Sequence, residues 1–525
     1  MAKEAGTQQK RLSIAHFEGI NSTVQLTIAK KTELAHAENV RANVIGALDK
    51  RQGQEVVGTD FEGNSFFTTG NYGLVYFEDG GTLSKGLIRV SSVDGVSANI
   101  YYLNQNDEWT YVDNDYALGL SLSNVDFANV DGDLVMVNGS DPNRMLTSAI
   151  SGTTSMVTSA VAGSLYNSPK ARKVAFYRSR IYLADYVDSL NNRYKTTILR
   201  SSYPLGIIAL IDGDLTAAVS GNWVIPVTDS KYFYLASGMN SYEVYRGSLK
   251  IATITISSMT ETSITAASGN VAFEPGYSSF LSSDEIWVSG TYTGEKQYRW
   301  ISNGTTIGRD VKQYDTFKLV GADESAITIL EPVGNILLIA NRNNMMTWND
   351  FTLEGFDMGI GCCSVNGYTK LKGSLFFMHY SGMYSTSGKT PELLSRKVER
   401  YINGATRAGL EACAMGAKGL SVFATIGDVT LYNNDGSLWK VLPDVCIEYS
   451  IADENFYVHT NVVATKFQRY MSDDSEKLTS TSFSVARDAV LGSEMVTNGS
   501  FVGSADSWEV GTGWEYDNGQ VEYTS

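Results

Sequence analysis

Few side chains in this sequence can do chemistry, and their spacing limits what each can do. The four histidines are His16, His36, His379 and His459. No two stand at metal-ligand spacing, and no H-E-x-x-H run occurs, so each reads as a satisfied surface or core histidine. The four cysteines, Cys362, Cys363, Cys413 and Cys446, contain no C-x-x-C pair. Neighbours such as Cys362 and Cys363 rarely bridge, and four are too few for a disulfide framework. All four read as reduced thiols of a protein made in the cytosol. Gly382-Met383-Tyr384-Ser385-Thr386-Ser387-Gly388-Lys389-Thr390 approaches a phosphate-cradling loop. Its glycines stand one residue too far apart and Pro391 follows, so it reads as a strand and a turn. G-x-S-x-G elbows and D-x-[DN]-x-[DN]-G calcium loops are missing. The acidic pairs in Asp131-Gly132-Asp133 and Asp473-Asp474 fit hairpin turns. The expectation is a protein that is not an enzyme, with no catalytic residue, no metal ligand and no cofactor, and with binding residues the sequence does not name.

The elements that position these side chains are strands. The 525 residues include 49 Gly, 30 Tyr and only 8 Pro, with Thr, Ser and Val throughout. Aromatic and β-branched residues suit a pleated, half-buried surface, and glycines suit the turns between short strands. A content of 43% hydrophobic and 19% charged residues predicts folded structure, and the length allows two to four domains. The net charge of −16 argues against gripping a nucleic-acid duplex, which takes Lys and Arg to displace phosphate counterions. It is compatible with a channel through which DNA slides without sequence-specific binding. The start, Met1 to Gly6, is polar and unlike a signal peptide. Apolar runs such as Leu205 to Ile211 and Ile336 to Ala340 are too short to span a bilayer. A soluble protein with no membrane partner is expected.

A recurring module organises the chain: a turn of Gly, Asp, Asn or Arg, then at once a short apolar strand. Instances are Asp131-Gly132-Asp133 before Leu134 to Val137, Arg178-Ser179-Arg180 before Ile181 to Leu183, and Gly334-Asn335 before Ile336 to Ile339. Lys372-Gly373-Ser374 before Leu375 to Met378, Lys418-Gly419-Leu420 before Ser421 to Phe423, and Asp453-Glu454-Asn455 before Phe456 to Val458 follow the same plan. Second turns lead to Met345 to Trp348 and Met383 to Thr386. The spacing of roughly 35–47 residues matches four-stranded blades, and one such sheet cannot bury both of its faces alone. An all-β propeller of about six blades is predicted, from residues 59–215 and 313–471. Between them, residues 216–312 read as an inserted β-sandwich-like domain, with Tyr232 to Tyr234, Val244-Tyr245, Ile251 to Ile256 and Glu285 to Val288 as strands. Residues 1–58 read as an N-terminal arm and lead-in strand, and 472–497 as a linker. Two short helices are expected. Thr32 would cap one through Leu34, Ala37 and Val40; Ser395 would cap the other, Arg396 to Asn403, with Val398, Tyr401 and Ile402 on one face and Gly404 as its stop.

A propeller raises the question of sialidase boxes, S-x-D-x-G-x-x-W. Asn434-Asp435-Gly436-Ser437-Leu438-Trp439 comes closest, but its Asp and Gly adjoin and no second box repeats it. Two other stretches resemble the β-propeller tail proteins of tailed bacteriophages, the nozzle, tail-hub or stabilisation-ring family below the portal. The first holds Phe17-Glu18-Gly19-Ile20-Asn21, Glu33 to Val40 with its A-x-N-V element, and Gly46-Ala47-Leu48-Asp49-Lys50-Arg51-Gln52-Gly53, where Gln52 departs from the usual Pro. The second runs from Ile360-Gly361-Cys362-Cys363-Ser364 through Gly373 and Ser381-Gly382-Met383-Tyr384 to Leu394-Ser395. Asn498 to Phe501, Trp508, Gly511 to Trp514 and Gly519 resemble the opening of a jelly-roll module, so 498–525 is expected to begin one that the chain does not complete.

The resemblance implies a structural virion protein, assembled in the host bacterial cytoplasm and residing in the tail. Its expected partners are itself, in a ring such as a hexamer around the DNA exit channel, adjacent tail or portal-adaptor proteins, and tail fibres or spikes. The alternative is a receptor-binding or glycan-binding propeller of a phage appendage, since sugars stack on Trp and Tyr faces.

Overall fold

The computed structural model describes residues 20, 22, 38–42, 48–50, 70–77, 86–92, 97–104, 108–111, 118–119, 124–130, 132–146, 156–158, 168–187, 191–201, 207–228, 230, 232–235, 240–260, 262–289, 316–318, 325–349, 352–356, 359–433, 435–472, 475–481, 514–517 and 520–523. His16, His36, Thr32, the Asp473-Asp474 turn and most of the C-terminal segment lie outside them. The chain divides into two compact units. One holds Met1–Leu74, Gln105–Trp109 and Ile360–Ser525; the other holds Val75–Asn104 and Thr110–Gly359.

Alternating apolar residues between tight turns fold into antiparallel meanders, and the fold is an all-β propeller. The first blade orders Gly70–Tyr76, Leu87–Ser92, Ser97–Leu103 and Trp109–Tyr111, with Leu118–Gly119 as an extra short strand on the third. The second holds Asp126–Val130, Asp133–Val137, Arg144–Leu146 and Met156–Thr158, and the third Lys170–Tyr177, Arg180–Val187, Arg193–Arg200 and Thr316–Lys318. The fourth runs Ile329–Val333, Ile336–Ala340, Met345–Trp348, Leu353–Phe356, and the fifth Tyr368–Leu371, Ser374–His379, Gly382–Thr386, Glu392–Leu393. The sixth comprises Met415–Lys418, Ser421–Tyr432, Leu438–Ser450 and Asn455–His459. Within each unit the first strands of successive blades touch: the third blade's meets those of the second and fourth, and the fifth's meets the sixth's. Apolar clusters fill the gaps between these blades, such as Val135, Val137, Val174 and Leu183, or Phe376, Met378, Val422 and Ile447.

The turns explain the module. Arg178 and Ser179 both take positive φ, 46° and 57°, as Lys372 and Gly373 do at 50° and 80°. Such pairs have the twist that joins adjacent antiparallel strands without splaying them. One module was misplaced by the sequence reading. Asp453-Glu454-Asn455 opens no new blade, because Phe456 to Val458 is the fourth strand of the sheet that contains Ser421 to Phe423. The first blade falls within the stretch 59–215 read as propeller, though none of the quoted modules lies in it.

The stretch between Arg200 and Thr316 leaves the third blade after its third strand, and Thr316–Lys318 returns as the fourth by pairing with Thr197 to Leu199. In between, two sheets face each other. One orders Ile207–Leu210, Glu285–Val288, Ser241–Arg246, Leu249–Thr255 and Val271–Phe273; the other orders Asn222–Pro226, Ser263–Ala267 and Ser258–Met259. Their core is their own, with Trp223, Ile225, Tyr242, Val244, Ile254 and Phe280 buried together. Trp223 and Phe280 meet edge to face at 5.1 Å. The sandwich opens at Ile207, inside the stretch assigned to the propeller, because Ile207 pairs with Trp287 and not with a blade. Tyr232 to Tyr234 forms no strand. It is an irregular segment whose backbone N–H at Tyr234 donates to the Tyr242 hydroxyl at 2.7 Å.

Other expectations also need correcting. Val40 begins the strand Val40–Ala42, paired with Leu48–Lys50, and is not helical. Ser395 caps no helix; its hydroxyl accepts the Met383 N–H at 2.9 Å and ties a 3-10 turn, Ser395–Val398, to the fifth blade. The helix α1 follows at Glu399–Gly404 with Tyr401 and Ile402 buried, and a second helix, α2, Arg407–Glu411, was not foreseen. Thr406 caps α2 by accepting the Gly409 N–H at 3.0 Å. Within the expected linker, Ser475–Thr481 is a strand paired with Lys466–Ser472. This hairpin lies on the first strand of the sixth blade at Gly416, where any Cβ would overlap Phe467.

Candidate functional site

The sixth blade brings together three polar side chains, one of them a histidine the sequence singled out. Strand register, and not sequence spacing, brings Ser421, Glu448 and His459 onto three neighbouring strands. The Ser421 hydroxyl donates to Glu448 Oε1 at 2.7 Å, and His459 Nε2 lies 2.9 Å from Glu448 Oε2. Glu448 and His459 are both 2% exposed. Activation of a serine needs the imidazole between hydroxyl and carboxylate. Here the carboxylate lies between, so it fixes the hydroxyl proton. The arrangement is a cross-strand tie inside a low-dielectric blade, where an unpaired carboxylate would be costly.

A second serine and histidine meet at the turn between the second and third strands of the fifth blade. His379 Nδ1 is 2.7 Å from Ser381 Oγ and accepts the Ser381 N–H at 3.2 Å. The Tyr384 hydroxyl is 2.8 Å from the same Oγ. An Nδ1 that accepts places the ring proton on Nε2, and partial burial holds the imidazole pKa below its ordinary 6.5. Among the described residues no carboxylate bonds His379, so the geometry is that of a turn cap.

The cysteines are free and buried. Cys362 Sγ contacts the Ser364 carbonyl at 3.0 Å and Cys363 Sγ the Leu410 carbonyl at 3.1 Å. Burial, reinforced by the neighbouring thiols, pushes the Cys413 thiol well above its ordinary range, which keeps it unreactive. The phosphate-loop lookalike is strand Gly382–Thr386 and a turn in which Thr386 Oγ1 accepts the Gly388 N–H at 3.0 Å. The box lookalike is the turn of the long hairpin, where Asp435 accepts the Ser437 N–H at 2.9 Å and its hydroxyl at 2.6 Å, holding that carboxyl below the usual range. Among the described residues, no group of His, Cys, Asp and Glu could hold a metal, and no helix is long and apolar enough to cross a membrane.

Two elements remain that offer contact area. The first is a ribbon. The sixth blade's middle strands run 12 and 13 residues, longer than any other strands described. One face of the extension, Val429, Leu431 and Leu442, is buried in the cluster that includes Tyr401, Ile402 and Leu410 of α1 and α2. Along the ribbon Tyr432, Leu438 and Val441 are 53–60% exposed, and Trp439 carries Arg400 4.6 Å from its ring centre.

The second element is a strap from the N-terminus. Ile20 is 2% exposed inside the sixth blade's core, and its N–H donates to the Phe456 carbonyl at 3.2 Å. Ser22 donates both its N–H, at 2.7 Å, and its hydroxyl, at 2.9 Å, to the Lys397 carbonyl. Glu38 pairs with Lys440 at 2.7 Å. Asn39 donates its N–H to the Val458 carbonyl at 2.9 Å, accepts the Thr460 N–H at 3.1 Å and donates to Thr460 Oγ1 at 3.0 Å. The Phe17 to Asn21 motif and the A-x-N-V element thus supply Ile20 and Asn39, the strap's anchors. The sequence marked these motifs but could not say what they hold.

No protein-family model matches the sequence, and no curated protein matches it. Solved structures align with the chain at 8–10% identity. A chain of the mitotic checkpoint complex aligns over 87% of this chain and 98% of its own, with 8% identity and a TM-score of 0.32. Apo AztD from Citrobacter koseri aligns over 74% and 88%, with 8% identity and a TM-score of 0.29. The Aleuria aurantia lectin, a six-bladed β-propeller that recognises fucose, aligns over 75% and 96%, with 10% identity and a TM-score of 0.24.

Proposed function

We propose that this chain is a structural propeller of a tailed-phage virion, working by assembly: copies form a ring around the DNA exit channel and dock neighbouring tail components. The observation that carries the reading is where the polar chemistry goes. Ser421, Glu448 and His459 tie three strands together, and His379 and Ser381 close a turn. The sandwich of residues 207–288 and the ribbon supply contact area. Resemblance of the lead-in and fifth-blade motifs to phage ring and nozzle propellers supplies the setting. Light scattering on purified protein tests the reading: a closed multiple of the chain mass is expected, and a strict monomer at tens of micromolar counts against it.

The second reading, a glycan-binding propeller, is favoured by Tyr432 and Trp439 exposed on one ribbon. Glycan-array binding that is lost in Trp439→Ala would support it.

A further inference from the structure

We propose that one end of the third blade is a phosphate-backbone contact, through which each copy touches DNA without reading its sequence. This rests on the reading of the chain as a ring subunit around the DNA exit channel, and it names the surface that meets the DNA. Residues 170–200 hold eight Lys and Arg against two acidic residues, a balance of +6 inside a chain of net charge −16. Of the two acids, Asp188 lies outside the described residues. Asp185 is 2% exposed and fully engaged: Arg193 donates to both of its oxygens, at 2.7 and 2.6 Å, and Arg172 Nε stands 3.9 Å away.

Strand register gathers the cations. Lys170 pairs with Val187, and Val187 with Arg193, so the opening residues of the first and third strands lie in one row across the second. Directly paired residues share a face of the sheet, and two strand spacings set Lys170 and Arg193 about 10 Å apart. Lys195 follows Arg193 on the third strand and is exposed. Lys173 differs, since it is buried and faces Asp126 at 3.6 Å. Lys170, Arg172, Arg193 and Lys195 thus gather at the end of the blade that holds one buried carboxylate, and among the described residues Lys170 and Lys195 form no ion pair. A chain with 57 acidic and 41 basic residues has carboxylates to spare for pairing, so a basic surface left open here fits an anion from outside. An arginine fork takes phosphate oxygens in pairs, and lysines add point charges. Duplex DNA carries one negative charge per about 1.7 Å of axis, dense enough to engage a row of cations at once. The acidic remainder of the chain repels the same duplex and keeps the contact local, as sliding requires.

The test is fluorescence anisotropy of full-length protein with a short labelled duplex, across about 50 to 200 mM salt. Two duplexes of unrelated sequence should bind alike, with affinity falling as salt rises. Lys170→Ala/Lys195→Ala should flatten the log–log salt slope by about 2, because each lost phosphate contact removes about 0.9. Lys170→Arg/Lys195→Arg keeps the charge and should bind as the parent does, which separates lost charge from lost fold. Lys389→Ala/Lys418→Ala removes two exposed cations elsewhere and should leave the slope unchanged. Equal slopes for the two alanine variants overturn the contact, as does an assembled ring that binds no duplex; both leave the ring reading intact. Polyglutamate that displaces the duplex at equal charge concentration also overturns it, by making an acidic protein segment the partner. A chain that stays monomeric yet loses duplex binding in Lys170→Ala/Lys195→Ala supports the contact and removes the ring.

Discussion

Three buried side chains of the sixth blade show what single residues contribute here. Glu448 accepts from Ser421 and is tied to His459, all three at most 6% exposed. Glu448→Ala would leave a hydroxyl and an imidazole nitrogen buried without partners, a cost of about 3 kcal/mol. A urea unfolding curve should show that loss as a lower midpoint at unchanged slope; a loss under about 1 kcal/mol would mean water enters the blade. His379 gives a pH prediction. Burial lowers its folded pKa below 6.5, so the folded state binds fewer protons than the unfolded chain near that pH. Its contribution is complete above the unfolded value and is lost as pH falls through the folded one. An NMR titration should place its midpoint below 6.5, and His379→Gln should flatten the stability profile there. The cysteines were legible as reduced thiols from spacing alone. That they cluster near Cys413 was not, since Cys362 and Cys446 come together only through packing.

At the scale of elements, close approach sets the sequence. A Cβ on Gly404 would stand 2.5 Å from the Thr430 carbonyl oxygen, and one on Gly409 would overlap the Ile426 carbonyl oxygen. Both glycines let α1 and α2 lie against the ribbon's backbone. Gly404 reads as a helix stop in the sequence, and α1 ends there. The reason was not legible, because a contact 26 residues away leaves no local trace. Gly409→Ala should destabilise by about 1–3 kcal/mol, read by thermal unfolding, because a backbone carbonyl cannot give way as a flexible side chain can. The sandwich predicts differently. Its first and last strands are neighbours, with Ile207 opposite Trp287, so its ends lie close together. Replacing residues 207–288 by a short Gly/Ser linker should leave the blades folded by circular dichroism and cooperative on heating. Collapse of the whole β signal would mean the sandwich supports its host blade.

Across the whole molecule, the fold class was readable and the blade boundaries were not. The module reports a short turn feeding an apolar strand. In a four-strand meander that turn joins the first strand to the second and the third to the fourth alike. Inside one sheet, the two-residue turn Gly419-Leu420 and the four-residue turn Ile451 to Glu454 each precede a strand, and both use a positive φ, at Gly419 and at Glu454. Local chemistry therefore counts hairpins, and only pairing decides which hairpins share a blade. Ser421, Glu448 and His459 were hidden for the same reason: 27 and 11 residues apart, they meet through register. The strap was half legible, as two motifs without an object. The proposed ring of this chain in a tail fixes where its copies must sit in the particle. Its most direct test is electron microscopy of purified particles decorated with an antibody raised against residues 207–288. Several symmetry-related antibodies in one plane of the tail beneath the portal are expected. Label at a single site, on the capsid, or missing from intact particles whose epitope is shown to be accessible would contradict it.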